Sequence, residues 1–172
     1  LHDGGSDAQQ PAWLPRIAEG KVIATVEQLE PSGRWDADGI ALEAKKDGGG
    51  YRLSGTKLFV PDGHTADLLI VAGRVPGSKG RDGVGLFLVD RKAPGLQTTL
   101  LKTMDQTRKL AEVRLENVAV PAERVLGAVG DGWRILERVA DRGKVALCAE
   151  MCGGAQRVLD MSVEYAKVRE QF

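Results

Sequence analysis

The 172-residue chain contains 24 lysine and arginine residues and 24 aspartate and glutamate residues, so its formal net charge is zero. Such a chain has no overall field that would attract nucleic acid or an anionic membrane surface, and no apolar run approaches the roughly 20 residues of a transmembrane helix. The composition, 42% hydrophobic and 28% charged, is typical of a globular protein, so we expect neither a nucleic-acid partner nor a transmembrane segment.

Residues 1–20 are interpreted as the end of a preceding region, a loop followed by a short helix over residues 12–18. They contain neither the basic nor the apolar stretch of a secretory signal. The chain also lacks an initiator Met, which suggests a processed chain or a fragment. Its two cysteines are too few for a disulfide framework, and we therefore expect a reducing, cytoplasmic location.

Residues 21–127 show the short apolar runs of a β-domain, separated by Gly, Pro and Asp. The runs that predict strands are residues 22–26, 39–44, 51–55, 57–60, 68–72, 84–89, 96–100, 111–115 and 118–121. Because they follow one another without intervening helices, we predict an antiparallel barrel or sandwich.

The glycines at positions 48–50 lie between two alternating runs and predict a hairpin turn. The alternative is a phosphate-binding loop, which would need a helix after the glycines to supply an anion-binding N-terminus. No helical pattern follows them, so the hairpin is favoured.

Residues 128–172 predict one long helix, since Asp131 can cap its start and no proline follows. Apolar residues spaced by three and four form one helical face: Val158, Met161, Tyr165, Val168 and Phe172. About 40 helical residues would extend roughly 60 Å, too far for one β-domain to cover. We therefore predict an α+β fold with segregated segments, in which the helix is the first of an incomplete four-helix bundle.

In their order along the chain, several segments resemble the acyl-CoA dehydrogenase family. They are residues 29–31, 51–57, 118–121, 130–132, 153–160 and 169–172. The resemblance implies a subunit with an N-terminal helical domain, a middle β-domain and a C-terminal four-helix bundle. It also implies FAD between the β-domain and the bundle, and α,β-dehydrogenation of an acyl-CoA with hydride transfer to the flavin. The resemblance implies that an electron-transfer flavoprotein or a similar acceptor is a partner. It also implies that the subunit forms a homo- or hetero-oligomer through the bundle.

The same resemblance assigns cofactor contacts to two strands and to the helix end. At the helix end Arg169 and Phe172 would meet the FAD of a partner subunit, and an exposed arginine at a frayed end is the alternative. The assigned residues are Gln28, Leu29, Arg34, Trp35, Phe59, Val60, Pro61, Arg169 and Phe172. Leu29 and Pro61 replace hydroxyl side chains that hydrogen-bond the isoalloxazine, and Trp35 replaces a small residue near the pyrophosphate. Phe59 can keep the flat contact of the usual tryptophan, and Arg34 can pair with a phosphate.

The resemblance places no catalytic base in this chain. Most of the family carry the catalytic glutamate beyond the point matched by residue 172, and Gly143 stands at the alternative position used by a minority. The nearby carboxylates Asp141 and Glu150 are interpreted as solvated or packing residues. Lys144 matches an arginine near the CoA moiety, although a solvated lysine is an equal alternative. A non-catalytic or flavin-poor subunit that supports a flavin-bearing partner is the alternative function.

The remaining candidates have simpler interpretations. Cys148 and Cys152 are expected to be buried small residues and not metal ligands, because no second ligand pair accompanies them. His64 is interpreted as a turn residue, and the basic residues 79–81 as a flexible hairpin tip.

Overall fold

The computed structural model describes residues 1–171. These form two compact units, residues 1–135 and the helix continuing from Leu136, which are described separately. The elements in chain order are α1 (Gln9–Ala18), β1 (Ala24–Glu27), β2 (Glu43–Asp47), β3 (Gly50–Pro61), β4 (Leu68–Arg74), β5 (Val84–Asp90), β6 (Leu96–Leu100), β7 (Leu110–Pro121), β8 (Val125–Leu126) and α2 (Gly132–Val168). Two short 3₁₀ turns cover Ala37–Gly39 and Ala122–Arg124.

The eight strands form one sheet in the order β6-β7-β3-β2-β4-β5-β8, and β1 pairs with β4 outside this path. The mixed α+β class is confirmed, but closure into a barrel is not, because the sheet is open between β6 and β8. The antiparallel prediction is correct for most pairs and wrong for two. β1 runs parallel to β4 over four residues, and β2 meets β4 in parallel at Glu43 and Arg74.

Long strands replace several pairs of predicted short ones. Residues 51–55 and 57–60 belong to the single strand β3, while residues 111–115 and 118–121 belong to β7. Register shifts between β3 and β7 interrupt the alternation in the middle of both strands, and this interruption made each appear as two runs.

The predicted strand at residues 39–44 is wrong for its first four residues, because β2 begins at Glu43. A 3₁₀ turn at Ala37–Gly39 precedes it, and Asp36 caps this turn by accepting a hydrogen bond from the backbone N of Gly39 at 3.0 Å. Arg74 then donates to the carbonyl of Ile40 at 2.7 Å and so fixes the chain before β2 begins at Glu43.

The predicted hairpin at residues 48–50 is confirmed. Asp47 pairs with Gly50, and Gly48 has a φ of 55°, a left-handed conformation that glycine adopts without steric cost. The chain therefore reverses between β2 and β3, and the phosphate-loop alternative is not supported.

Helix α1 begins three residues earlier than predicted. Ser6 and Gln9 exchange reciprocal hydrogen bonds between backbone N and side chain at 3.1 and 3.2 Å, in the manner of a capping box. The side chain of Gln9 also donates to the carbonyls of Glu123 and Val125 at 2.8 and 2.9 Å, which joins α1 to the turn before β8.

The core lies on the inward face of the sheet, where apolar side chains from β3, β4, β5 and β7 pack together. Phe87 on β5 is fully buried and its ring centroid lies 5.2 Å from that of Tyr51 on β3. Burial of each large apolar side chain contributes roughly 1.5–3 kcal/mol to the stability of the folded chain. The core therefore holds the strands that carry the surface loops.

Helix α2 is 37 residues long, about 55 Å at 1.5 Å per residue. Trp133 and Ile135 at its start are buried, whereas the residues from Arg138 to Val168 are exposed. The helix ends at Val168, so residues 169–171 do not continue it as predicted, and Phe172 lies outside the described residues. Among residues 1–171, no helix is long and apolar enough to cross a membrane.

Cys148 and Cys152 are exposed on α2, which contradicts the prediction that they are buried. The prediction assumed other helices packed around α2, whereas both cysteines are exposed on this helix.

Candidate functional site

Two neighbouring segments of the β-domain bring most of the predicted cofactor residues together. The backbone N of Leu58 donates to the carbonyl of Leu29 at 2.9 Å, which joins β3 to the loop after β1. The side chain of Gln28, directly after β1, donates to the carbonyl of Trp35 at 3.2 Å and so joins two parts of the same loop. We call the surface formed by Gln28, Leu29, Trp35 and Phe59 the aromatic face.

Phe59 presents its ring to solvent because β3 bulges at this point. The register with β7 shifts between Lys57 and Val60, so Leu58 and Phe59 leave the regular ladder. Phe59 has a φ of 53° and is 51% exposed, whereas Val60 is buried in the core. A left-handed aromatic residue stores strain of about 1–3 kcal/mol, and such strain is concentrated at functional sites. The bulge therefore directs a large flat side chain outward from a well-packed sheet.

Trp35 supplies the second exposed ring of the aromatic face, at 70% exposure. The loop that carries it is shaped by Gly33, which has a φ of 67° and whose N donates to the carbonyl of Glu30 at 2.9 Å. Arg34 bonds Asp36 at 2.8 Å, and this hydrogen bond lowers the pKa of the Asp36 carboxyl. The guanidinium predicted to meet a phosphate therefore already pairs with a carboxylate of its own loop.

A buried ion pair supports the aromatic face from the inner side. Nζ of Lys57 lies 2.7 Å from Oε1 of Glu30 and 3.3 Å from the carbonyl of Gln28. Glu30 also accepts hydrogen bonds from the backbone N of Ala41 and of Leu42, each at 2.9 Å. Burial lowers the pKa of Lys57, and the neighbouring Glu30 opposes that shift. One ammonium and one carboxylate thus fasten three chain segments behind the face.

The sequence interpretation missed the supporting role of Lys57 and Glu30. Both appear in it only as members of matching segments. A charged residue at an inward strand position is the signal that could have found them, but the register shifts in β3 hide which positions face inward.

The other predicted β-domain residues lie beside the face. The side chain of Val60 is 1% exposed and packs in the core, so only its backbone can meet a ligand. Pro61 is exposed, and its carbonyl accepts a hydrogen bond from the Thr25 hydroxyl at 2.7 Å. Proline offers no N–H, so this edge of the site provides no backbone donor at that residue.

The predicted residues of the second unit lie on α2 and on the residues that follow it. Lys144 pairs with Asp141 at 2.9 Å, and both side chains are 73% exposed. Arg169 donates to the hydroxyl of Tyr165 at 2.6 Å, and its guanidinium carbon lies 5.7 Å from the centre of that ring. Glu150 is exposed on the helix. Phe172 cannot be placed, since it lies outside the described residues.

Two of the weaker candidates lie in turns of the β-domain. His64 is half-buried in the turn after β3. The tip of the β4–β5 hairpin is held more firmly than predicted, since Gly80 donates to Asp38 and accepts from Arg74, both at 2.8 Å.

Comparison with known proteins gives a consistent family. The family model for the middle domain of acyl-CoA dehydrogenases matches residues 29–118, and that for their C-terminal domain matches residues 130–172. The short-chain specific acyl-CoA dehydrogenase of Megasphaera elsdenii is 34% identical over 173 residues, covering 98% of this chain and 45% of that protein. The chain therefore spans about 45% of the length of this curated relative.

Solved structures agree with this assignment. The prolyl acyl carrier protein oxidase AnaB has a TM-score of 0.94 at 32% identity, covering 100% of this chain and 46% of its own. PigA, solved with FAD and proline, has a TM-score of 0.93 at 29% identity, covering 100% of this chain and 45% of its own.

Proposed function

This chain belongs to the acyl-CoA dehydrogenase family, and we propose that its aromatic face is the β-domain wall of a FAD site. In this proposal residues 21–127 are the middle β-domain and residues 128–172 begin the C-terminal helical bundle. The parent activity is α,β-dehydrogenation of an acyl-CoA thioester. The observation that carries the proposal is Phe59, an exposed ring held at positive φ beside Leu29.

The chemistry of the aromatic face fits a flavin. Phe59 and Trp35 offer flat apolar surfaces to a planar ring system, and Leu29 adds a half-buried apolar side chain. FAD, when bound, supplies the hydride acceptor of the reaction. The residues of this chain bind and orient the rings, and the buried pair behind the face keeps the two segments in register.

Polar contacts to the flavin would be fewer than the resemblance implies. Leu29 has no hydroxyl and Pro61 has neither hydroxyl nor N–H, so backbone groups of the loop after β1 would carry these contacts. Arg34 would have to leave Asp36 before it could pair with a phosphate. Weak binding by the chain alone follows from these substitutions.

The chain by itself is proposed to be inactive. Proton abstraction needs a carboxylate within hydrogen-bond reach of the substrate, and Asp141 instead pairs with Lys144. The base would come from a further part of the bundle, as would the surface for oligomer formation. An electron-transfer flavoprotein or similar acceptor would reoxidise the flavin, and a cytoplasmic location stays a prediction.

A non-catalytic or flavin-poor subunit is the second candidate function. It is favoured by the side chains of Leu29, Trp35 and Pro61, which remove two hydroxyls and add bulk at the proposed site. Under this alternative the face would support a flavin-bearing partner instead of binding the cofactor.

The test is FAD binding to the purified chain, followed by quenching of flavin fluorescence. The variant Phe59→Gly removes the ring while suiting the left-handed backbone. We expect it to weaken binding at least tenfold. Leu100→Ala is the matched control, because Leu100 is an apolar residue of similar exposure on β6.

Equal affinity of Phe59→Gly and the unmodified chain would contradict the proposed cofactor wall. No quenching at any FAD concentration would favour the flavin-poor alternative.

A further inference from the structure

Glu27 is a buried carboxyl group for which the structure shows no hydrogen-bond partner. It is the last residue of β1 and is 0% exposed, and neither carboxyl oxygen is bonded among the described residues. Burial raises its pKa to about 8, although nearby Lys57 opposes the shift. Glu27 therefore keeps its proton at neutral pH, since an ionised carboxylate without hydrogen bonds is costly to bury.

The groups around Glu27 form a cluster of two carboxyls and one ammonium. Lys57 on β3 interacts electrostatically with Glu27 and also with Glu30, whose Oε1 lies 2.7 Å from Nζ of Lys57. From β4 the paired residue is the apolar Val71. Thr25, on the same face of β1, uses its hydroxyl to donate to the carbonyl of Pro61 at 2.7 Å.

The hydrogen bonds of Lys57 leave both carboxyl oxygens of Glu27 without a partner, which fits a neutral Glu27. Lys57 bonds Glu30 at 2.7 Å and the carbonyl of Gln28 at 3.3 Å, and Gln28 directly follows Glu27 in the chain. If Glu27 lost its proton, two buried carboxylates would compete for a single ammonium. Competition from Glu27 would weaken the bond of Lys57 to Glu30, which lies in the same loop as Gln28 and Leu29.

We propose that Glu27 is a positioning residue whose proton keeps Lys57 on Glu30 and on the carbonyl of Gln28. The protonated cluster holds the loop that carries Gln28 and Leu29 against β3. Loss of the proton loosens that loop. This inference rests on the proposed function only in naming FAD as the ligand of the aromatic face.

The deciding experiment is a pH titration of the ligand-free chain by NMR, which follows the side-chain carboxyl carbon of Glu27 and the backbone amides of Ala41, Leu42 and Leu58. These amides donate to Glu30 and Leu29, so they report on the loop. We expect the carboxyl to titrate near pH 8 and the three amides to shift with the same midpoint.

Two variants distinguish deprotonation of Glu27 from a nonspecific change of the structure at high pH. Glu27→Gln mimics the neutral side chain and should abolish the shifts at the three amides. Glu43→Gln, which changes an exposed glutamate of β2, should leave them as in the unmodified chain. The proposal would be overturned if the Glu27 carboxyl titrated near its ordinary pKa. It would also be overturned if the carboxyl titrated near pH 8 while the chemical shifts of the three amides stayed constant. Both results can be obtained with the unmodified chain alone.

A second measurement separates this inference from the proposed function. FAD affinity of the unmodified chain should fall at least threefold between pH 7 and pH 9, and that of Glu27→Gln should fall less. Equal pH dependence of the two would count against the positioning role. No FAD binding at either pH would contradict the proposed function, and the ligand-free titration would still decide the role of Glu27.

Discussion

Nζ of Lys57 lies 2.7 Å from Oε1 of Glu30, and both side chains are buried beneath the aromatic face. Removing one partner leaves the other charge buried without compensation, which typically costs 3–5 kcal/mol. We expect Lys57→Met to lower the free energy of unfolding by about 3 kcal/mol or more, as measured by urea denaturation.

The double variant Lys57→Met with Glu30→Gln should recover part of that loss, because it leaves no unpaired charge. If Lys57→Met cost less than about 1 kcal/mol, the pair would not fasten the segments behind the face.

The pH dependence of stability should carry the signature of Glu27. Its pKa is raised from 4.5 to about 8 in the folded chain, so the unfolded chain releases the proton at a lower pH than the folded chain does. Stability contributed by this residue is therefore highest below pH 4.5 and falls as the pH rises toward 8. Relative to the unmodified chain, Glu27→Gln should gain up to a few kcal/mol at pH 8 and much less at pH 4.5. Thermal melts at both pH values measure this difference. A gain of the same size at both pH values would argue against a buried proton.

The backbone of Phe59 should favour glycine over alanine. Phe59→Gly and Phe59→Ala both remove the ring, but only glycine adopts a φ of 53° without steric cost. We expect the glycine variant to be more stable than the alanine variant by about 1 kcal/mol. Chemical denaturation of the two variants checks the difference, and greater stability of the alanine variant would refute the strained bulge.

Two adjacent glycines in the β2–β3 hairpin should respond differently to alanine. A Cβ added at Gly50 would lie 2.4 Å from the carbonyl oxygen of Val120 on β7, whereas one added at Gly49 would meet nothing within 4 Å. We expect Gly50→Ala to destabilise the chain by about 2 kcal/mol, and Gly49→Ala to change stability by less than about 0.5 kcal/mol. Equal effects in urea denaturation would contradict the register between β3 and β7.

Strand content and the long helix could be predicted from apolar periodicity, because that pattern reflects burial directly. The run at residues 96–100 coincides with β6, and the hairpin glycines lie where the chain reverses. The parallel pairing of β1 with β4 could not be predicted, since it depends on contacts between segments more than 40 residues apart.

The resemblance could propose residues for the site, which stay predictions, but it could not predict what supports them. The resemblance pointed to Leu29, Trp35 and Phe59, which lie in two segments joined by hydrogen bonds. Burial of Glu27 and Lys57 depends on the bulges of β3 and on the end of β1, and a local pattern does not encode either feature.

The exposure of α2 shows the limit of reasoning from one helix. Its apolar face at Val158, Met161, Tyr165 and Val168 matched the predicted spacing, yet each of these side chains is more than half exposed in the chain. Spacing predicts which residues share a face, but burial also requires an element that packs against it.

Mapping FAD onto the chain by two-dimensional ¹H–¹⁵N NMR tests the proposed cofactor wall most directly. We predict that FAD shifts the amide signals of Gln28, Leu29, Trp35 and Phe59, and that the signals of the hairpin residues Lys45 and Arg52 stay unchanged. Saturable shifts at the hairpin with none at the aromatic face would contradict it.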